Sequence, residues 1–301
     1  MENTREILLE SGTNELEIVE FAIGANKFGI NVIKVKEIIN PVPVTLVPHA
    51  HHTIEGIIEL RGEVLPVVNM AEALKFPPSE NPSEDKFIVT EFNKQKVVFH
   101  VHYVTQIRRI SWSQIEKPSG MYQGIDNQII GVIKWDGEMI LLLDFEKMIV
   151  EINPESGINI QQVKKLGKRE RSNKRIVVAE DSPLLRKLLH DTLEEAGFQN
   201  LEFFENGRDT LQYLEGLLAI GKDIASEVQL VITDVEMPQM DGHYLTRKVK
   251  AHAGLGRLPV IIFSSLITED LRHKGQVVGA DAQVSKPEIA DLIKEIDRYI
   301  L

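Results

Sequence analysis

From Lys174 onward, apolar runs of strand length alternate with stretches of helical period, and this alternation constrains the fold more than any other feature of the chain. Arg175-Ile-Val-Val-Ala179, Leu201 to Phe204, Gln229 to Thr233, Pro259 to Phe263 and Ala282 to Val284 read as strands. Helices are expected between and after them. The first starts at the capping Ser182 with Pro183 in its first turn, carries Leu185, Leu188, Leu189, Leu193 and Ala196 on one face, and stops at Gly197. Others are expected from about Arg208 to Leu218, near Tyr244 to Ala251, near Glu269 to Val278, and from Glu288 to Ile300. Five βα units in succession imply an α/β doubly wound, parallel sheet covered on both faces, with ligands beyond the carboxyl ends of the strands.

The polar residues of this half follow the strands. Glu180-Asp181 follows the first, Asp234 the third, Ser264-Ser265 the fourth and Lys286-Pro287 the fifth. In a sheet of order 2-1-3-4-5 the first and third strands are neighbours. Three carboxylates then converge, with a hydroxyl and an ammonium opposite. Carboxylates a few ångströms apart repel, and a divalent cation relieves them; magnesium prefers such oxygen donors. Lys286 can balance an incoming phosphoryl oxygen, Ser264 can donate to another, and Asp234 can act as the nucleophile that becomes an acyl phosphate. Each residue alone has a plainer reading as a cap, a turn or a surface group. Five of them after four different strands favour the site.

Glu180-Asp181-Ser182, Asp234-Val-Glu-Met-Pro238-Gln-Met-Asp-Gly242, Ser264 and Lys286-Pro287 resemble the response-regulator receiver domain, a flavodoxin-like fold, over residues 174–301. The resemblance implies that Asp234 is the phosphoacceptor. It also implies that Glu180, Asp181 and Asp234, with the backbone carbonyl of Glu236, hold Mg2+. Ser264 and Lys286 would be the switch pair, and Lys286-Pro287 a cis bond. One departure stands out: many receivers carry an aromatic residue three before the lysine, and here it is Gln283. A carboxylate at Glu236, two after the phosphoacceptor, is placed to slow or redirect attacking water.

The first half reads as short strands. Glu17 to Ile23 alternates, and Lys27 to Val32, Ile57-Ile58, Val64 to Val68, Phe87 to Phe92, Val97 to Val101, Ile129 to Lys134 and Met139 to Leu143 follow. Gly24-Ala-Asn26, Arg61-Gly62, Asn93-Lys94 and Asp136-Gly137 separate them as turns. This spacing argues for an all-β barrel or sandwich. Glu2 to Glu10 and Met70 to Leu74 are expected helices. Glu20-Phe-Ala-Ile-Gly24, Phe28-Gly29-Ile30, Val35-Lys-Glu-Ile-Ile39, the stretch from Gly56 through Arg61-Gly62 to Asn69, and Leu142-Leu143-Asp144 near the end resemble the CheW family over about residues 15–150. That resemblance implies two small five-stranded barrels and a role bridging chemoreceptors and the histidine kinase CheA. Arg61 and Gly62 are the partner-binding candidates; a hairpin turn is their plainer reading. His100 and His102 share a strand face, which leaves a metal site or two ordinary histidines open.

The expected organisation is a CheW-like adaptor domain over 15–152, a linker over 153–173, and a receiver domain over 174–301. Together the halves resemble CheV-type chemotaxis coupling proteins, adaptors tuned by phosphorylation at Asp234 for adaptation or as a phosphate sink. Residues 164–175 hold seven basic residues and one acidic, between two acidic halves in a chain of net charge -11. That balance argues against nucleic acid. The chain has no cysteine, which excludes disulfides and thiolate chemistry. No apolar run reaches bilayer length, and Met1 to Glu10 lacks the order of a secretory signal, so a cytoplasmic protein is expected, near membranes only through receptors. An adaptor rather than an enzyme is expected. An aspartate-nucleophile phosphohydrolase is the main alternative, with Glu236 near its general-acid position, but its nucleophile comes early in the chain and its acidic pair late. A transcription regulator would need a DNA-binding domain after the receiver.

Overall fold

The computed structural model describes residues 14–92, 95–116, 128–158, 160–164, 166, 170–265 and 269–300. The expected helix Glu2 to Glu10 and the turn Asn93-Lys94 lie outside them. Two compact units form, one of Leu16–Ile110 with the stretch up to Ile152 apart from Ser111–Glu116, the other of the chain from Asn153 onward, with which Glu15 and Ser111–Glu116 are grouped. No described helix is long and apolar enough to cross a membrane.

The N-terminal half of the chain is mainly β. Its strands are β1 (Glu15–Ile23), β2 (Asn26–Asn31), β3 (Val35–Ile39), β4 (Ile54–Leu60), β5 (Glu63–Asn69), β6 (Lys86–Phe92), β7 (Gln95–Val101), β8 (Tyr103–Ser111), β9 (Ile115–Glu116), β10 (Ile129–Trp135) and β11 (Glu138–Leu143). They form a six-stranded sheet of order β8-β1-β2-β11-β10-β9 and a five-stranded sheet of order β3-β6-β7-β5-β4. The resemblance led us to expect five and five; β8 and β9 fall beyond the strands read from the sequence. A short helix α1 (Met70–Ala73) follows β5, and α2 (Phe145–Ile152) follows β11, capped by Asp144, whose Oδ1 accepts from Lys147 N at 2.9 Å.

Alternation along the strands of the five-stranded sheet divides its side chains between two cores. Val68, Ile88 and Phe99 join Phe21, Phe28, Phe92 and Phe145 in the main core. Val67, Phe87, Val89 and Val98 fill a second core with Ile58 and Leu65. Each fully buried side chain of this kind contributes about 1.5–3 kcal/mol. The sheet is curled. Thr45, beyond β3, bridges Ile57 of β4, and the guanidinium of Arg61, at the tip of β4, lies 2.8 Å from Glu37 of β3, although β3 and β4 are the outer strands. Arg61 and Gly62 both have positive φ, 54° and 82°, which makes this two-residue hairpin a type I′ turn.

The second unit has α3 (Ile160–Lys164), β12 (Ser172–Ala179), α4 (Pro183–Glu195), β13 (Phe198–Phe204), α5 (Gly207–Ala219), α6 (Ile224–Glu227), β14 (Leu230–Thr233), α7 (Gly242–Ala251), β15 (Val260–Ser264), α8 (Glu269–Val277), β16 (Ala282–Ser285) and α9 (Ile289–Ile300). All five strands are parallel, in the order β13-β12-β14-β15-β16, which is 2-1-3-4-5 within the unit as expected. Ile176 and Val178 of β12 face the core built by α4 and α9; Val177 and Ala179 face the one built by α5 and α7. Ile158 and Val163 pack into the first of these cores, so part of the stretch read as a connector is anchored in the receiver fold.

Candidate functional site

Each predicted group sits at the carboxyl edge of the parallel sheet because the ladder ends there. Asp234 N donates to Ala179 O at 2.9 Å, the last rung between β14 and β12, and the carboxylate turns out beyond it. Its Oδ1 accepts from Val235 N at 2.5 Å. Glu180 N donates to Phe204 O, and Arg186 clamps the carbonyls of Glu180 and Asp181, at 2.7 Å each, fixing the end of β12. Lys286 N donates to Ser264 O at 3.0 Å, which ties the ends of β16 and β15. Lys286-Pro287 is cis, as expected.

The side chains converge. Carboxylate oxygens of Glu180, Asp181 and Asp234 all lie within 4.8 Å of one another. Lys286 Nζ is 2.6 Å from Asp234 Oδ2 and 2.8 Å from Glu180 Oε2. Glu180 and Lys286 are each 2% exposed, Asp234 4% and Ser264 0%. Burial at this level is tolerable for charges only when they are paired. One ammonium against three carboxylates leaves an excess of negative charge. A compact set of three carboxylate oxygens suits a small hard cation such as magnesium, and the residues present therefore fit that ion. Glu236 is half-buried, and its carboxylate is not part of this set.

The loop after Asp234 returns to the site through Gly242. Gly242 N donates to Val235 O at 2.9 Å, and a Cβ at this position would stand 1.8 Å from the carbonyl oxygen of Asp234. Only glycine allows so close an approach. Asp241 caps α7 by accepting from Tyr244 N at 2.8 Å, and burial raises its pKa above the ordinary carboxylate range.

The comparisons with known proteins agree with this division. Residues 17–153 match the family model of the CheW-like domain, and residues 176–297 match that of the response regulator receiver domain. Over its length the chain is similar to chemotaxis protein CheV3 of Helicobacter pylori, 30% identical over 302 residues covering 95% of each chain. The chain belongs to the CheV family of chemotaxis proteins. The N-terminal half of this CheV-family chain is similar to chemotaxis protein CheW of Thermotoga maritima, 30% identical over 150 residues that cover 50% of this chain and 98% of that protein. A solved receiver domain, that of sensor histidine kinase PA1611 from Pseudomonas aeruginosa, is 20% identical, covers 43% of this chain and 98% of that chain, and has a TM-score of 0.37; it holds a magnesium ion in its active site cleft.

Four further residues in this CheV-family chain differ from simple expectation. Gln283, where an aromatic ring was expected from the receiver resemblance, donates through Nε2 to Arg272 O of α8 at 2.7 Å. It lies across Gly275, where an added Cβ would meet its Oε1 at 2.2 Å, so an amide laid against the helix replaces a ring free to rotate. Arg61 is exposed, yet its guanidinium is ion-paired with Glu37 rather than projecting freely. His100 and His102 do not form a metal cluster, since the only such group among the described residues is Glu180, Asp181 and Asp234. Instead two carboxylates that sequence reasoning had not connected to it, Glu55 and Asp85, flank His100. They lie 45 and 15 residues away, and no local spacing signals them.

Proposed function

We propose that the CheW-like half couples chemoreceptors to the histidine kinase CheA, and that the receiver half adjusts this coupling when Asp234 accepts a phosphoryl group from the kinase. The supporting observation is the buried cluster at the sheet edge, in which Lys286 touches both Asp234 and Glu180 while a third carboxylate closes the set. Glu180, Asp181 and Asp234, with the carbonyl of Glu236, would hold magnesium, which when bound neutralises charge on the transferred group. Asp234 supplies the attacking oxygen: its O–P bond forms as the bond from phosphorus to the donor breaks. Lys286, already 2.6 Å from Asp234 Oδ2, then pairs with a phosphoryl oxygen, and Ser264 donates to another. The two added charges bias the receiver toward a second arrangement of its surface. The role is that of an adaptor with a switch, at work in the cytoplasm beside receptor arrays. The proposed division puts the adaptor over 15–152 and the receiver over 174–301, with a connector between them whose Ile158 and Val163 pack into the receiver core.

Incubation with CheA, ATP and magnesium tests it. Label is expected on the wild-type chain at one phosphoryl group per molecule and absent from Asp234→Asn. Steady release of phosphate from a small phosphomonoester, without retention, would favour the hydrolase reading instead. Glu236→Asn and Glu236→Ala are each expected to change the rate at which phosphorylated chain loses its label; an unchanged rate in both removes Glu236 from control of the attacking water.

A further inference from the structure

The ionisable groups that this function leaves unused centre on His100 of the N-terminal unit. Its ring stands between two carboxylates. Nδ1 is 2.6 Å from Glu55 Oε2, and Nε2 is 3.0 Å from Asp85 Oδ2. Asp85 Oδ1 accepts from Ser79 Oγ at 2.5 Å, and the Phe87 ring packs edge-on against the imidazole with centroids 5.0 Å apart. The three residues come from separate parts of the five-stranded sheet. Glu55 is in the outer strand β4, His100 is in the central strand β7, and Asp85 immediately precedes β6. Strand β5 lies between β4 and β7, with Asn69 opposite His100 and Val68 opposite Ile54. The imidazole therefore reaches past β5 to hold the outer strand.

A neutral imidazole has one N–H. With both nitrogens against carboxylates, one of them would then present a lone pair to a negatively charged oxygen at hydrogen-bond distance. Only the imidazolium donates to both. We propose that His100 is a proton-operated brace: protonated, it ties β4 and its Arg61-Gly62 hairpin to the middle of the sheet, and on losing its proton it lets Glu55 go. Glu55 is the group released because its side chain is 29% exposed and regains water, whereas that of Asp85, 5% exposed, would be left buried without its donor.

The charges around the ring are consistent with this. Burial works against the imidazolium, but the hydrogen bond and charge of Glu55, followed by those of Asp85, outweigh it and raise the pKa of His100 above 6.5. The facing group from β5 is the neutral Asn69. Lys86, at the start of β6, places its ammonium on the carbonyls of Glu84 and Asp85 at 3.1 and 3.2 Å. His102, just beyond β7, is held below the ordinary histidine range chiefly by burial, and its Nδ1 accepts from Gly24 N at 2.9 Å. A folded-state pKa above the unfolded value means that the brace acts in full below pH 6.5 and is lost as pH rises through the raised value.

The test uses the full chain, with amide hydrogen exchange of a peptide covering β4 measured from about pH 6 to about pH 9, normalised to the intrinsic exchange rate, beside NMR titration of labelled histidine. The His100 midpoint is expected above 6.5, with β4 protection falling about tenfold across it while receiver peptides stay constant. In His100→Gln, β4 protection should be flat with pH. In Glu55→Gln, which alters a partly exposed side chain and spares the core, the midpoint should drop and the β4 response disappear. A wild-type midpoint at or below 6.5, flat protection of β4 in the wild type, or the same fall in His100→Gln would overturn the proposal.

Discussion

Lys286→Met is expected to destabilise the receiver half by about 3 kcal/mol at neutral pH in buffer free of divalent cations, because breaking a buried ion pair leaves its partners uncompensated. The lysine is 2% exposed and is the ammonium shared by Glu180 and Asp234. Methionine fills much the same volume, so the loss reports charge rather than a cavity. Removing the ammonium leaves carboxylates of three residues within 4.8 Å of one another. A cation that binds the folded cluster and not the unfolded chain stabilises by mass action, so millimolar magnesium is expected to restore most of the loss. Urea unfolding followed by pulse-labelled hydrogen exchange of β12 and β14 peptides reads this half alone. A wild-type midpoint in EDTA, or a loss that magnesium does not touch, would contradict the electrostatic account.

Gly242→Ala is the second large effect. The added Cβ would meet the carbonyl oxygen of Asp234 at 1.8 Å and its carbonyl carbon at 2.8 Å, both backbone atoms with no rotamer to escape through. Something in the loop must move, at a cost of about 3 kcal/mol. The hydrogen bond from Gly242 N to Val235 O is lost or stretched, and with it the position of the Asp234 carboxylate against Lys286. Labelling by kinase or by a small phosphoryl donor is expected to fall between about tenfold and about a hundredfold, the larger factor being what misplacing a reacting group by an ångström can cost. Gly216→Ala is the control. It lies in α5 with open space where the Cβ would go, so it should leave labelling unchanged and add up to about 1 kcal/mol of helix stability. Equal effects of the two substitutions would remove the steric argument.

The receiver half was legible because each level of its sequence agrees with the next. Its central strands β14 and β15 and the end of β12 are buried on both faces and read as continuous apolar runs, and the parallel order then carries Glu180, Asp234, Ser264 and Lys286 to one edge. The first half was legible mainly where strands are central. Strands β3, β8 and β9 were not read as strands, and all three are outer strands of their sheets. In β8, Tyr103–Ser111, only Ile110 is fully buried, so no clean alternation survives in the sequence. Helix α2 follows β11 after a single residue, and the apolar run hides the boundary; Asp144, with its cap to Lys147, was the signal available. The flanking of His100 by Glu55 and Asp85 was out of reach, because strand register across β5 sets it.

The curl of the five-stranded sheet bears on how copies of this chain behave when crowded. An open ladder at a sheet margin is a template that any extended segment can join, and many proteins aggregate by that route. Here Thr45 already occupies part of the margin of β4, and Arg61 draws it toward β3 through Glu37. The ion pair itself contributes little energy at the surface. Its worth lies in keeping backbone amides from recruiting a neighbour, so dense packing of these molecules need not lead to fibres.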